Sequence, residues 1–366
     1  MENHKARNGK IDFFRFVFSV IVVIFHINKD FWDFGRVYLD GRLSLAGYGG
    51  CGVEYFFIVS GFLFALSLSK RTETDDLARD DFAFVWKKAK AILPYHFIAC
   101  AIAILFILIR LIGGDKGFDV LLDKLPSLFL MQAFQLSGNN DALLGQEWYI
   151  STMLLVMFLL YPFAVKFKKT FTGIAAPAIG LFLLGRNAVQ NGLLISTDHN
   201  MRGLQDICLG IFCFYVYTKL KDLNPGRRGR VLITVIEAFC YLVSTVYCFT
   251  AADAKYQIYI AVLFCIGVTL SFSELGVISS GKLSTLFNNR FVYLLGKWSL
   301  PIYLIQNAVR SGMLFIKEKK LVKVSDSVFA AADLVLILIA GIVLYYIVEF
   351  FRKRIAAKKA AGQAAA

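Results

Sequence analysis

A histidine and an arginine inside one apolar run are the first residues of this sequence that could do chemistry. The run is interrupted by Asp12, Arg15, Ser19 and His26. At about 100° per residue, Arg15 and His26 fall about 20° apart around a helix axis, with Asp12 and Ser19 on the same face. The helical rise separates Arg15 from His26 by about 16 Å. Polar groups within a span are costly and normally face an interior cavity, so such a stripe is a functional candidate by default. An imidazole exchanges protons near neutral pH or attacks an activated acyl group, and a guanidinium holds phosphate. Taken singly, Arg15 would snorkel to headgroups and His26 would bond a neighbouring helix. Four polar residues on one stripe ask for more than that.

Other chemistry-bearing residues enter from the opposite end of their spans. Glu54 opens the apolar run Gly52–Phe62, and Glu147 opens another at Trp148-Tyr149. Both carboxylates are expected near the depth of His26, where either could orient the imidazole as in a hydrolytic triad, Glu54 being the first choice. Trp148 offers a ring for stacking on a sugar, although a Trp-Tyr pair at a span end is also ordinary aromatic-belt material. Ser60-Gly61 permits close helix approach. Two basic clusters, Lys70-Arg71 and Lys87, Lys88 and Lys90, flank one loop and could hold a polyanion or simply anchor the helices. Arg202 and Asp206 are spaced to pair along one helix. Gln306 and Asn307 lie deep in a late span, whereas His96, Arg110 and Glu237 read as structural. His4 and His199 lie in polar segments and carry no assigned role.

The elements that must position these groups are transmembrane helices. Of 366 residues, 58% are hydrophobic and only 18% charged, with the apolar residues in long runs that a soluble domain would not carry. Spans are expected near 11–28, 50–69, 91–112, 148–165, 171–189, 203–220, 231–251, 256–273, 292–315 and 328–351. The fold class is therefore all-α and polytopic, with about ten transmembrane helices. The stretch 118–136, broken by Pro126, reads as interfacial or re-entrant. One integral-membrane domain covers 1–355, and the Ala-rich tail 356–366 is expected to be disordered. No internal repeat suggests a transporter built from inverted halves.

The net charge of +14 would raise the question of nucleic acid in a soluble protein. Here the basic residues sit beside apolar spans, about twice as many on the segments that share a side with the N-terminus, which argues for cytoplasmic termini and against nucleic acid. The first run lacks a small-residue cleavage site after it and reads as a retained helix. The seven Cys form no CxxC pair and no zinc spacing, and six of them fall in apolar runs, so neither a disulfide framework nor a metal is expected.

In order along the chain, these motifs resemble the membrane acyltransferase-3 family, which O-acylates surface glycans. Ile11-Asp12-Phe13-Phe14-Arg15 through His26 is similar to its first-helix signature of Arg, ten residues, then His. Gly52-Val53-Glu54 through Ser60-Gly61-Phe62, Trp148-Tyr149-Ile150-Ser151 to Tyr161-Pro162, Leu209-Gly210 and Leu295–Leu304 match later motifs. Two positions depart: Lys87-Lys88-Ala89-Lys90-Ala91 stands where members often carry paired Arg before the third-helix Pro, and Gln306 stands where many carry His. The resemblance implies a stand-alone enzyme of a bacterial cytoplasmic (inner) membrane. It would move an acyl group, most often acetyl, from cytoplasmic acyl-CoA to a hydroxyl of an extracytoplasmic glycan or lipid-linked glycan. Arg15, Ser19, Lys70, Arg71, Lys87, Lys88 and Lys90 would then hold acetyl-CoA, with Ser60 as a candidate donor to the thioester oxygen. His26 would be the base, or a covalent nucleophile, and Trp148 and Tyr149 would meet the acceptor. The alternative reading is a polysaccharide exporter without acyl transfer.

Overall fold

Apolar runs long enough to cross a bilayer form helices because every backbone polar group must be satisfied within the segment. The computed structural model describes residues 8–30, 46–71, 76–113, 124–134, 143–190, 198–251, 256–279 and 281–364. Its long helices are α1 (Gly9–Asp30), α2 (Gly52–Ser69), α3 (Leu77–Ile112), α4 (Trp148–Lys166), α5 (Ala176–Gln190), α6 (His199–Leu220), α7 (Arg227–Thr250), α8 (Gln257–Ser273), α9 (Arg290–Glu318) and α10 (Asp326–Ala364). They coincide with the ten expected spans, and no strand occurs among the described residues. The protein is thus an all-α polytopic membrane protein. Seven spans meet both the length and the apolarity of a membrane helix. Of the remaining three, α6 and α9 carry interior polar groups, and α8 has 17 residues.

Side-chain caps set several helix starts. Asp76 accepts from the Arg79 amide, Asp198 from the amides of Asn200 and Met201, and Asn289 from that of Val292, each satisfying an orphan donor of the first turn. Pro94 and Pro301 interrupt the backbone ladders of α3 and α9. Large apolar side chains such as Ile112, Phe182 and Val189 are exposed on the outside of the bundle, as a lipid-facing surface requires.

The centre of the bundle is α2, buried over most of its length. It packs on α6 at very short range. A Cβ at Gly61 would lie 2.1 Å from the Ile207 carbonyl, and one at Gly210 would lie 2.1 Å from that of Ile58. Only glycines allow this mutual approach. On the other side α1 lies along α9, where Gly296 makes room for Asp12 and Ser19 Oγ donates to the Ser299 carbonyl at 2.8 Å.

The Pro126 region is not a further span. Residues Leu125–Phe129 and Gln132–Phe134 form short 3-10 turns joined through Leu130, whose φ is 58°. Ser151 Oγ accepts from the Ala133 amide and donates to the Leu130 carbonyl, which ties this segment to α4. Most of the acidic loop 113–147 lies outside the described residues.

Two expectations are corrected. Cys51, just before α2, and Cys248, near the end of α7, form a disulfide across 197 residues of sequence. Spacing rules could not reveal a pair brought together by two separate helix ends. The tail from 356 is helical to Ala364, because Ala and Lys favour helix and α10 supplies a nucleus already formed.

Candidate active site

Two residues of the α1 stripe, Arg15 and Ser19, face a cavity of about 240 Å³ between α1, α2, α3, α4 and α9. Arg15, Ser19, Ser60, Lys88 and Tyr149 all line it, together with Ser299 and Tyr303. Five residues singled out from the sequence, on four different helices, therefore meet at one place. Arg15 makes no hydrogen bond or ion pair among the described residues. Lys88 rests its ammonium 5.0 Å from the centre of the Phe84 ring. Two cations on one low-dielectric cavity raise its affinity for an anion. Ser60 Oγ and Tyr149 Oη are 3.1 Å apart on the facing wall.

His26 stands seven residues beyond Ser19, about 10 Å further along α1. Its Nδ1 lies 3.0 Å from Gln306 Oε1 on α9. The Gln306 amide is itself oriented, because its Nε2 donates to the Tyr303 carbonyl at 2.8 Å. Its oxygen therefore faces the imidazole, so Nδ1 is the donor in this contact. A base or nucleophile working through Nε2 needs Nδ1 in that role.

The helix bearing Gln306 is held in register by the start of α4. Gln146 Nε2 donates to the Tyr303 and Leu304 carbonyls at 3.1 and 2.9 Å, while Tyr303 Oη donates to the Gln146 carbonyl at 2.8 Å. Asn307 Nδ2 donates to the Leu144 carbonyl. Pro301, two residues before Tyr303, lacks the amide that would bond the Lys297 carbonyl, so the α9 ladder is broken just ahead of these contacts.

The carboxylates do not do what their depth suggested. Glu54 is fully buried and bonds to Arg202 and, at 2.7 Å, to Gln257, not to His26. Glu147 faces His96, with its Oε2 3.7 Å from Nδ1 of that residue. Packing decides the first case: the glycine contact draws α2 against α6, so Glu54 meets Arg202 before it can reach α1. For the same reason Arg202 turns to Glu54 and the Gly50 carbonyl, while Asp206 accepts from Gln205. Trp148 is stacked on His199 with ring centres 4.0 Å apart, and Arg202 approaches it at 5.5 Å, so its face is occupied.

The basic clusters divide as well. Of the five lysines and arginines outside α1, Lys88 alone lines the cavity. Lys70, Lys87 and Lys90 are exposed, and Arg71 donates to Tyr161 Oη at 2.8 Å. Of the residues around the site, Gln146, Ser299 and Tyr303 were given no role from the sequence, and Gln306 was noted without a partner. Only Gln306 carried a signal, as a polar residue deep in an apolar run where the family often has histidine.

The fold is that of a multi-helix membrane protein with a cavity between five helices that carries Arg15 and Lys88, and with His26 bonded to Gln306 further along α1. The family model for the acyltransferase domain of the acyltransferase-3 family matches residues 8–349, and the chain belongs to that family. It is accordingly a membrane acyltransferase. Comparison with curated proteins and with solved structures gives no significant match.

Proposed function

We propose that this acyltransferase takes an acetyl group from cytoplasmic acetyl-CoA and places it on a hydroxyl of an extracytoplasmic glycan, with His26 as the general base. The observation that carries this reading is the cavity that gathers Arg15, Ser19, Ser60, Lys88 and Tyr149 beside α1, the helix whose His26 bonds to Gln306. Its volume suits a slender acylated arm rather than a whole nucleotide. Phosphates would rest on Arg15 and Lys88 through charge-assisted bonds. A pantetheine arm is comparable in length to the separation of about 16 Å between Arg15 and His26. The nucleotide end of the donor then need not cross the membrane.

At the far end, His26 Nε2 would take the acceptor's hydroxyl proton as that oxygen bonds to the acyl carbon. It would then return the proton to the sulfur as the carbon–sulfur bond breaks. A thioester is already activated, so the hydroxyl is the partner that needs help, which favours a base over a covalent acyl-histidine. The two-to-one excess of basic residues supports a cytoplasmic N-terminus. So does the disulfide, which sits at the helix ends opposite the N-terminus, the side expected to be oxidising.

Transfer of labelled acetyl from acetyl-CoA to membranes carrying the cell-surface polysaccharide tests the proposal, using reconstituted wild-type and His26→Gln protein side by side. Loss of a general base should lower the rate by about 10²–10⁴, with acetyl-CoA binding retained. Equal product from both proteins would remove His26 from the chemistry. No product from either, with glycan movement intact, would favour the exporter.

A further inference from the structure

Three aromatic rings from three helices line the cavity: Phe56 of α2, Tyr149 of α4 and Tyr303 of α9. We propose that these rings are the acyl-size filter of the enzyme, admitting acetyl to His26 and holding back longer chains. The inference rests on the acyl-transfer reading above and adds to it the residues that choose the acyl group.

Helix register places the rings between the cavity and the histidine. Ser19 bonds to Ser299 and His26 to Gln306, and each pair is 280 residues apart, so α1 and α9 run parallel and in step. Seven residues of each helix, about 10 Å, separate the two contacts. Tyr303 falls inside that interval, four residues after Ser299 and three before Gln306, on the same face of α9. Arg15 lies one turn before Ser19 instead, so the cation and the rings sit at opposite ends of the α1–α9 seam.

The rings pack on one another. Their centres are 5.9 Å apart for Phe56–Tyr149, 6.1 Å for Phe56–Tyr303 and 5.9 Å for Tyr149–Tyr303, tilted or edge to face, which is contact distance for aromatic pairs. Two of the three are tied at their hydroxyls. Tyr149 Oη is 3.1 Å from Ser60 Oγ, and Tyr303 Oη donates to the Gln146 carbonyl at 2.8 Å. Phe56 is held by packing alone, so its size can change without leaving a polar group unpaired. An acyl carbon moving from the cavity towards His26 has to make room among these rings. Acetyl presents a single methyl group. Each further methylene overpacks a wall already in contact, and one methylene in such a site changes kcat/KM by about 10–200-fold.

The test compares acetyl-, propionyl- and butyryl-CoA as donors to polysaccharide-bearing membranes, with reconstituted full-length protein and kcat/KM as the readout. Wild type should lose about tenfold or more at each added methylene. Phe56→Ala should raise the butyryl-to-acetyl ratio by about tenfold or more, and Phe56→Leu, the milder change at a buried position, should raise it by less. Phe264→Leu alters a buried ring outside the cavity and should keep the wild-type ratio. Variants are compared at equal helicity and monodispersity, and a ratio is not imitated by a general loss of activity from loosened packing. Butyryl transferred as fast as acetyl by the wild type would overturn the filter and leave the acyl-transfer reading standing. So would a ratio unmoved in both Phe56 variants, or an equal rise in Phe264→Leu. No transfer from any of the three donors would overturn that reading and the filter with it.

Discussion

Two arginines inside the bundle have opposite surroundings. Arg202 on α6 is held by Glu54, by the Gly50 carbonyl at 2.9 Å and by the Trp148 ring. Arg15 on α1 opens instead onto a cavity that holds a second cation, Lys88. Both are charges that a bilayer interior penalises, yet only one has its donors consumed by the fold. The difference separates two uses of intramembrane charge. A saturated arginine joins helices, and an arginine facing a cationic cavity stabilises little until an anion arrives.

The largest test of this contrast is Arg202→Leu. It strands Glu54 without its counter-charge at full burial, and the cost should be about 3–5 kcal/mol of stability, read by denaturation in detergent. Arg15→Ala should shift the same transition by less than about 1 kcal/mol. Equal losses would erase the distinction between the two arginines.

Next in size is the reverse effect on the donor. Arg15→Ala should weaken acetyl-CoA binding by about 10–100-fold, the worth of one hydrogen bond to a charged group, measured by calorimetry. Arg15→Lys should recover only part, since a point charge replaces a planar fork. Unchanged affinity in folded Arg15→Ala protein would leave Lys88 as the only anion contact in the cavity.

Gln306→Leu should be milder. Removing the acceptor for His26 Nδ1 takes away the contact that orients the ring, an effect of about tenfold on kcat with donor affinity unchanged. Gln306→Glu, which keeps an acceptor oxygen, should restore most of the rate. A kcat untouched by Gln306→Leu would show that the α9 contact does not orient the ring.

The smallest effect belongs to Trp148→Phe. Its ring is stacked on His199, so the expected change is about 1 kcal/mol of stability or less, with acceptor KM unchanged. A large rise in acceptor KM would return Trp148 to the sugar-binding role that its position in the sequence suggested.

The local pattern of the chain carried the spans and the α1 stripe. Length and apolarity decide which segments cross a membrane, and helical periodicity decides which residues share a face, so ten helices and the Arg15–His26 alignment were legible one segment at a time. The motif order carried the family. Neither kind of information specifies which helix faces which. That Glu54 meets Arg202, that Gln306 meets His26, and that Cys51 joins Cys248 follow from packing between segments up to 280 residues apart. The deciding contacts are the close approach of Gly61 and Gly210 and the clamp from Gln146 to α9. A carboxylate's depth is set by its own helix, but its partner is whichever charge the packed bundle delivers first, and only the tertiary structure decided that.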